Sequence, residues 1–276
     1  MTSPADPLRV DLEFAIAAAR WAGRRALRLA RSGRWQAETL GDVGDQACDA
    51  LLQGLITGRY EEDGLLSEET KDTAERLAKS RVWIVDPLDG TKEYRSGRAD
   101  WAVHVGLVVD GACHLGAVAL PAQDRLIWGV CAPGQAAAGV EGQGSLLAGD
   151  EPRTGPLRLA VSRSHTPPWV ERLAETLGAE LVPCGSVGNK VSLLLDGRAD
   201  AYVHREGLKE WDTCAPSALR ARWIGTFRAS TAAPSATTSA TCTTTSSSCA
   251  GRRIGIGCWA RWRTWTSRAR DGAQAP

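Results

Sequence analysis

Apolar residues return every three or four positions from Leu8 to Leu29: Leu8, Leu12, Ala15, Ile16, Ala19, Ala22, Ala26 and Leu29. Glu13, Arg20, Arg24 and Arg28 fall on the other side. The spacing predicts an amphipathic helix whose apolar stripe packs on a core. The stretch TLGDVGDQACDALLQGLI, from Thr39, reads as a glycine-containing loop that becomes a second helix, with Asp45 where the helix begins. LLSEET is a short apolar element closed by Glu68 and Glu69, and the KDTAERLAK that follows is charged and predicted to be solvated. VWIV, within RVWIVDPLDGTKEY (Arg81 to Tyr94), is a β-branched apolar run that predicts a buried strand ending at Asp86. RSGRADW is a polar loop. WAVHVGLVVDG predicts one strand and CHLGAVALPAQDRLIWGV two more; AAAGVEGQGSLLAGDEP is a loop or a hairpin edge. LRLAVSRSH reads as a strand, PPWVERLAETLGAEL as a helix with proline in its first turn, Ser186 to Leu195 as a loop entering a helix, and ADAYVH as a strand.

The chemistry gathers where apolar runs stop. The strand ending at Asp86 runs into Pro87, Leu88, Asp89, Gly90 and Thr91. Two carboxylates three apart at the mouth of a strand suit a hard divalent cation such as Mg²⁺, which takes one or two carboxylates together with a substrate phosphate. The alternative, less favoured, is an ordinary acidic turn. Pro87 stiffens the turn, Gly90 leaves room for a ligand near the backbone, and Thr91 is placed to cap a following helix whose N-terminus favours phosphate. Two further acidic stations, Glu68–Glu69 and Glu210–Trp211–Asp212, each sit beside an apolar anchor. Three such stations suggest a metal site assembled by folding. Asp45 fits a helix-capping acid. His104 lies inside an apolar strand and reads as a core histidine ahead of a catalytic one. Ser186 and Lys190 fit a helix cap and a solvated lysine, or a contact with a substrate sugar or phosphate.

At 276 residues the chain holds one large domain or two small ones. Its net charge of +1 hides an asymmetry: residues 220–276 carry +8 and residues 1–219 carry −7. An acidic body suits a cation-dependent enzyme and argues against a nucleic-acid partner. Eight cysteines without CxxC spacing read as reduced thiols, not as a disulfide frame or a zinc site. The N-terminus, MTSPADP, lacks the pattern of a signal peptide, and no apolar run reaches transmembrane length. These features predict a cytoplasmic protein without stable membrane association.

The ordered set SEE, DPLDGT and WDTCA resembles the signature of the inositol monophosphatase-like superfamily of Mg²⁺-dependent, lithium-sensitive phosphatases, over roughly residues 10 to 218. Haloacid-dehalogenase-type phosphatases carry D-x-D-G-T near the N-terminus. Here two residues separate the aspartates and the motif lies mid-chain, so that alternative fits poorly. The resemblance implies an α+β fold, a layered α/β/α/β/α sandwich of the inositol monophosphatase and fructose-1,6-bisphosphatase type. Its N-terminal part would span about 8–150 and its C-terminal part about 151–219. It also implies two or three Mg²⁺ ions. One would be held by Glu68, Asp86 and the Leu88 carbonyl to activate water, which Thr91 and Asp45 orient. Another, held by Asp86, Asp89 and Asp212, would stabilise the leaving oxygen. The Gly90 and Thr91 amides would cradle the phosphate, Ser186, Lys190 and Glu210 would contact substrate, and Glu69 would be supporting. A homodimer is compatible with the family. EWDTCA, the tight SEE, and GS-x-x-x-K followed by DGRADAY look most like the 3′(2′),5′-bisphosphate nucleotidase branch (CysQ type). That implies 3′-phosphoadenosine 5′-phosphate as substrate, in sulfate assimilation. Inositol monophosphate, another sugar phosphate, or a catalytically impaired nucleotide-binding role are the alternatives.

After about Leu219 the texture changes to STAAPSATTSATCTTTSSSCA and then to a stretch crowded with Trp and Arg. One reading is a disordered linker with a basic tail. The preferred reading is a frame shift near Leu219 to Trp223. With third bases free, Thr226 to Arg253 re-reads as VPRIDGSPLGYNERDVYHHVLLVCRPE, which resembles the D-G-x-P-L-x-Y-N segment of bacterial family members. Residues 220–276 are then a disordered or misassembled tail, and the C-terminal part of the fold is incomplete. Sequencing the gene across this stretch tests the reading; one continuous frame relative to close relatives would sink it.

Overall fold

The computed structural model describes residues 6–142, 155–204, 208–219 and 257–260. Helix α1 (Pro7–Arg31) begins at Asp6, whose side chain accepts the Leu8 N–H, with Pro7 at the first helical position. Its buried face is mostly alanine (Ala15, Ala18, Ala19, Ala22, Ala26), so the helix lies close on its neighbours. Helix α2 (Ala37–Arg59) starts earlier than the sequence predicts: Gly41 and Gly44 are helical, not part of a loop. The glycines serve packing instead of turning. A Cβ on Gly41 would lie 2.8 Å from Thr91 Cγ2, and one on Gly44 would lie 2.7 Å from the Tyr94 ring.

Helices α1 and α2 cover one face of a six-stranded sheet ordered β1-β2-β3-β4-β5-β6, formed by Gly64–Ser67, Arg81–Asp89, Ala102–Val109, Ala112–Leu120, Arg125–Val130 and Ala137–Gly142. β1 runs parallel to β2, and the remaining pairs are antiparallel. A second sheet, ordered β10-β9-β7-β8, comprises β7 (Arg158–Ser162), β8 (Glu180–Cys184), β9 (Ala201–His204) and β10 (Gly257–Ala260). Between the sheets lie α5 (Val187–Leu195) and α6 (Glu210–Ala218). Their core joins Ala102, Val118 and Ile127 of the first sheet to Ala160 and Tyr202 of the second. Helix α4 (Pro168–Leu177) covers the outer face of the second sheet through Val170 and Ala174. The order helix, sheet, helix, sheet, helix is the layered α+β sandwich expected. The sequence reading runs α4 on through Leu181, whereas the structure ends it at Gly178 and, after Ala179, starts β8.

Two features of the first sheet position the site. β2 does not stop at Asp86 but continues to Asp89 through a bulge: Asp86 pairs with His104 and Asp89 with Ala102, three steps against two. Residues three apart on a regular strand face opposite sides. The extra residue at Pro87–Leu88 brings both aspartates to one side, and proline, lacking an N–H, is tolerated there. Secondly, Gly106, Gly116 and Gly129 are direct partners across β3, β4 and β5. A Cβ on Gly116 would lie 2.5 Å from the Ala215 Cα. Helix α6 therefore rests its backbone on a bare strip of sheet, which sets the height of Asp212.

The KDTAERLAK segment is not wholly solvated. It forms a 3₁₀ turn (Ala74–Ala78) in which Arg76 is buried and paired with Asp72 at 2.6 Å and Glu210 at 2.9 Å. Of the tail expected to be disordered, the described residues are Gly257–Ala260. They pair antiparallel with β9; the other residues from 220 onward lie outside the described ones. Among the described residues no helix is long and apolar enough to cross a membrane.

Candidate active site

Asp86 is buried at the β2 bulge, where its Oδ1 accepts the Leu88 N–H at 3.1 Å. Asp89 is buried beside it. Its Oδ2 accepts the Val187 and Gly188 amides at 2.6 and 3.0 Å, so the carboxylate sits on the N-terminus of α5, where a helix favours an anion. One ligand atom from each of Asp86, Asp89 and His104 falls within 4.8 Å of the others. Glu68 comes from the turn after β1. The residue is exposed at the rim, yet its carboxyl shares a hydrogen bond with Asp86 and is repelled by Asp212. Asp212, in the first turn of α6, reaches back to the Lys209 N–H at 2.6 Å. Folding thus brings the three acidic stations of the sequence together.

Their electrostatics are those of a site short of positive charge. Burial, followed by Asp89, Glu68 and Asp212, raises the Asp86 carboxyl well above the usual range. Burial and Asp212 push Glu68 up to about 7, and burial and Asp89 push Asp212 up to about 6. Asp89 is the exception. Burial raises it, but His104, Lys190 and the Gly188 amide together bring it down to about 2. Asp45, in α2, is pushed up to about 8 by burial and then by Glu69 and Glu68. A buried set of mutually repelling oxygen donors fits a hard divalent cation, which would relieve the repulsion that now favours protons.

Thr91 is the first residue of α3 (Thr91–Arg95); the cap is Gly90, at φ 94°, not Thr91 as the sequence predicts. Thr91 Oγ1 lies 3.2 Å from the Leu88 carbonyl and 3.4 Å from Asp45 Oδ2. A cavity of about 690 Å³ shares Asp89 with the acidic cluster and is also lined by Gly90, Thr91, Ser186, Lys190, Tyr202, His165 and Trp169. Ser186 caps α5, accepting the Asn189 N–H at 2.9 Å, and also lines the cavity. Lys190 is buried, not solvated: Nζ donates to the Gly185 and Ser186 carbonyls at 3.2 and 3.0 Å, holding the turn that receives Asp89. Glu210 is not among the residues lining the cavity; Arg76 takes its carboxylate.

His104 is more than core filling. It is fully buried, with Nε2 at 3.2 Å from Asp89 Oδ2 and Nδ1 at 3.2 Å from the Trp211 carbonyl, linking the β2 bulge to the segment that carries Asp212. Its register opposite Asp86 was the signal available, but only once the strands were paired. His165 and Trp169 carried no motif; they line the cavity from the loop before α4 and from its first turn, while Tyr202, the last residue of DGRADAY, lines it from β9.

A layered α+β sandwich with an acidic cluster beside a cavity of this size suits a phosphoric monoester hydrolase. Residues 9–222 match the inositol monophosphatase family, and the chain belongs to it. Over 212 residues, 72% of this chain and 73% of the relative, it is 39% identical to the 3′-phosphoadenosine 5′-phosphate phosphatase of Mycobacterium bovis. Among solved structures it is similar to CysQ of Bacteroides thetaiotaomicron, a bacterial member of the family, with TM-score 0.66 and 26% identity over 77% of this chain and 86% of that one. It shares its fold with inositol monophosphatase II of Staphylococcus aureus, with TM-score 0.64 and 20% identity over 76% and 80%.

Proposed function

We propose that this chain hydrolyses the 3′-phosphate of 3′-phosphoadenosine 5′-phosphate to AMP and phosphate, as a Mg²⁺-dependent, Li⁺-sensitive cytoplasmic enzyme whose phosphatase unit is residues 1–219. The observation that carries the reading is the cavity of about 690 Å³ opening directly off the acidic cluster. A lone phosphate would leave most of it unfilled, whereas a nucleotide suits a site within the roughly 300–1,000 Å³ common for small ligands. Trp169, Tyr202, His165 and Lys190 are among the residues that line it. The similarity to a phosphatase of that substrate supports the same choice.

Glu68, Asp86, the Leu88 carbonyl, Asp89 and Asp212 would hold the Mg²⁺ ions, which when bound neutralise charge on the phosphoryl oxygens and activate water. The chain's own groups do the rest. Thr91 Oγ1, held between the Leu88 carbonyl and Asp45, would orient the attacking water together with Asp45. Asp45, whose proton affinity is raised by burial and then by Glu69 and Glu68, can take that water's proton only in its ionised form, which predominates above about pH 8. The first amides of α3 are free of intrahelical partners by the geometry of any helix start, and so offer donors to phosphate oxygens. Asp89 is kept ionised by the α5 amides and His104, and so remains an oxygen donor when its neighbours are protonated.

Phosphate release from 3′-phosphoadenosine 5′-phosphate and from inositol 1-phosphate, with Mg²⁺ and with or without Li⁺, tests the assignment. Preference for the nucleotide, abolished by Li⁺, is expected. Preference for inositol 1-phosphate would overturn the substrate and keep the chemistry. Nucleotide binding with release from neither compound would make the chain a binding protein.

A further inference from the structure

Asp49 lies one turn after Asp45 on α2, buried, and takes no part in the chemistry above. Its Oδ1 accepts the Ser67 hydroxyl at 2.5 Å. Its Oδ2 accepts the Gln53 side-chain amide at 2.5 Å and the Thr70 hydroxyl at 3.3 Å. Gln53 also reaches Thr70 Oγ1 at 2.6 Å, and Ser67 Oγ receives the Glu69 N–H at 3.4 Å. Ser67 and Thr70 bracket Glu68 and Glu69. A single buried carboxylate therefore pins both ends of the acidic turn to the helix that carries Asp45.

Glu68 is exposed and lies on a turn, so its own packing does little to hold it. With both flanks of the turn tied to α2 through Asp49, its backbone is held in place. Because Asp45 and Asp49 share one rigid helix, the same tie fixes Glu68 relative to Asp45.

We propose that Asp49 is a positioning residue for metal binding: it holds the Glu68–Glu69 turn against α2 so that Glu68 faces Asp86 while in register with Asp45. The inference rests on the reading of the acidic cluster as a metal site, but not on the identity of the substrate.

The test is Mn²⁺ binding to the metal-stripped full chain, followed by electron paramagnetic resonance, with kcat at saturating metal measured beside it. Asp49→Ala should weaken Mn²⁺ binding by about 10–100-fold, the range for partners that orient metal ligands. It should restore most of kcat once metal is saturating. Asp49→Asn, which keeps an acceptor for Gln53 and Thr70, should weaken it less. Should Asp49→Ala not fold, the double variant Ser67→Ala, Thr70→Val cuts the same ties with Asp49 in place and should shift Mn²⁺ affinity in the same direction. Wild-type Mn²⁺ affinity in Asp49→Ala, or in the double variant, would overturn the proposal. So would failure of the wild-type chain to bind Mn²⁺. Normal Mn²⁺ behaviour with no phosphate release from the nucleotide would instead overturn only the substrate assignment.

Discussion

Asp86→Asn is expected to lower kcat/KM for the nucleotide by about 10³-fold, because losing a shared metal ligand forfeits several kcal/mol of transition-state stabilisation at about 1.36 kcal/mol per tenfold. Asparagine keeps the volume and can still present an oxygen to the Leu88 N–H, so the β2 bulge is retained. Its amide nitrogen then faces the other carboxylates, where a cation needs an oxygen. The same change removes one of the mutually repelling buried acids, so the metal-free variant should melt higher than the metal-free wild type. Loss of activity accompanied by gain of metal-free stability separates a missing ligand from a damaged fold. Activity within a few-fold of wild type would remove Asp86 from the metal site.

The second expectation concerns pH. In the folded, metal-free chain the carboxyls of Glu68 and Asp212 stand at about 7 and 6, Asp45 at about 8, and Asp86 well above the ordinary range. Unfolded, each titrates near 4. Between about pH 4 and 8 the folded state therefore binds more protons than the unfolded one, and stability falls as pH rises. His104 acts in the same sense: burial lowers its affinity for protons, but Asp89 raises it above the ordinary histidine value, and the stability this lends is lost on the alkaline side. Asp89, at about 2, acts oppositely, but only below about pH 4. Metal must displace the excess protons, so its affinity rises across the same window. The metal-stripped chain should lose several degrees of Tm from pH 5 to pH 8, where about 1 kcal/mol corresponds to about 2–4 °C. The increment produced by saturating Mg²⁺ should grow over the same range. A Tm that is flat or rising with pH in metal-free buffer would contradict the crowded-carboxylate account.

The parts of the candidate site that are legible in the sequence lie where apolar runs end. Asp86 and Asp89 were legible because a β-branched run stops in two acids around a proline, and Asp212 because an apolar anchor precedes it. What it could not carry is geometry made by pairing. The bulge that turns Asp86 and Asp89 to one side exists only against β3, and His104 becomes a site residue only through its register with Asp86. Gly41 and Gly44 resembled a loop because glycine is read first as a backbone signal; here it makes room for Thr91 and Tyr94. Arg76 and Glu210, 134 residues apart, looked solvated and substrate-facing respectively; the structure pairs them with each other. Lys190 lines the cavity, but its ammonium is committed to two backbone carbonyls.

The most direct test is to strip the chain of metal, supply 3′-phosphoadenosine 5′-phosphate, and follow inorganic phosphate and AMP as Mg²⁺ is restored. The account predicts no release without metal and equal amounts of the two products once Mg²⁺ is present. Release that needs no metal, or a nucleotide held at any Mg²⁺ concentration without cleavage, would contradict it.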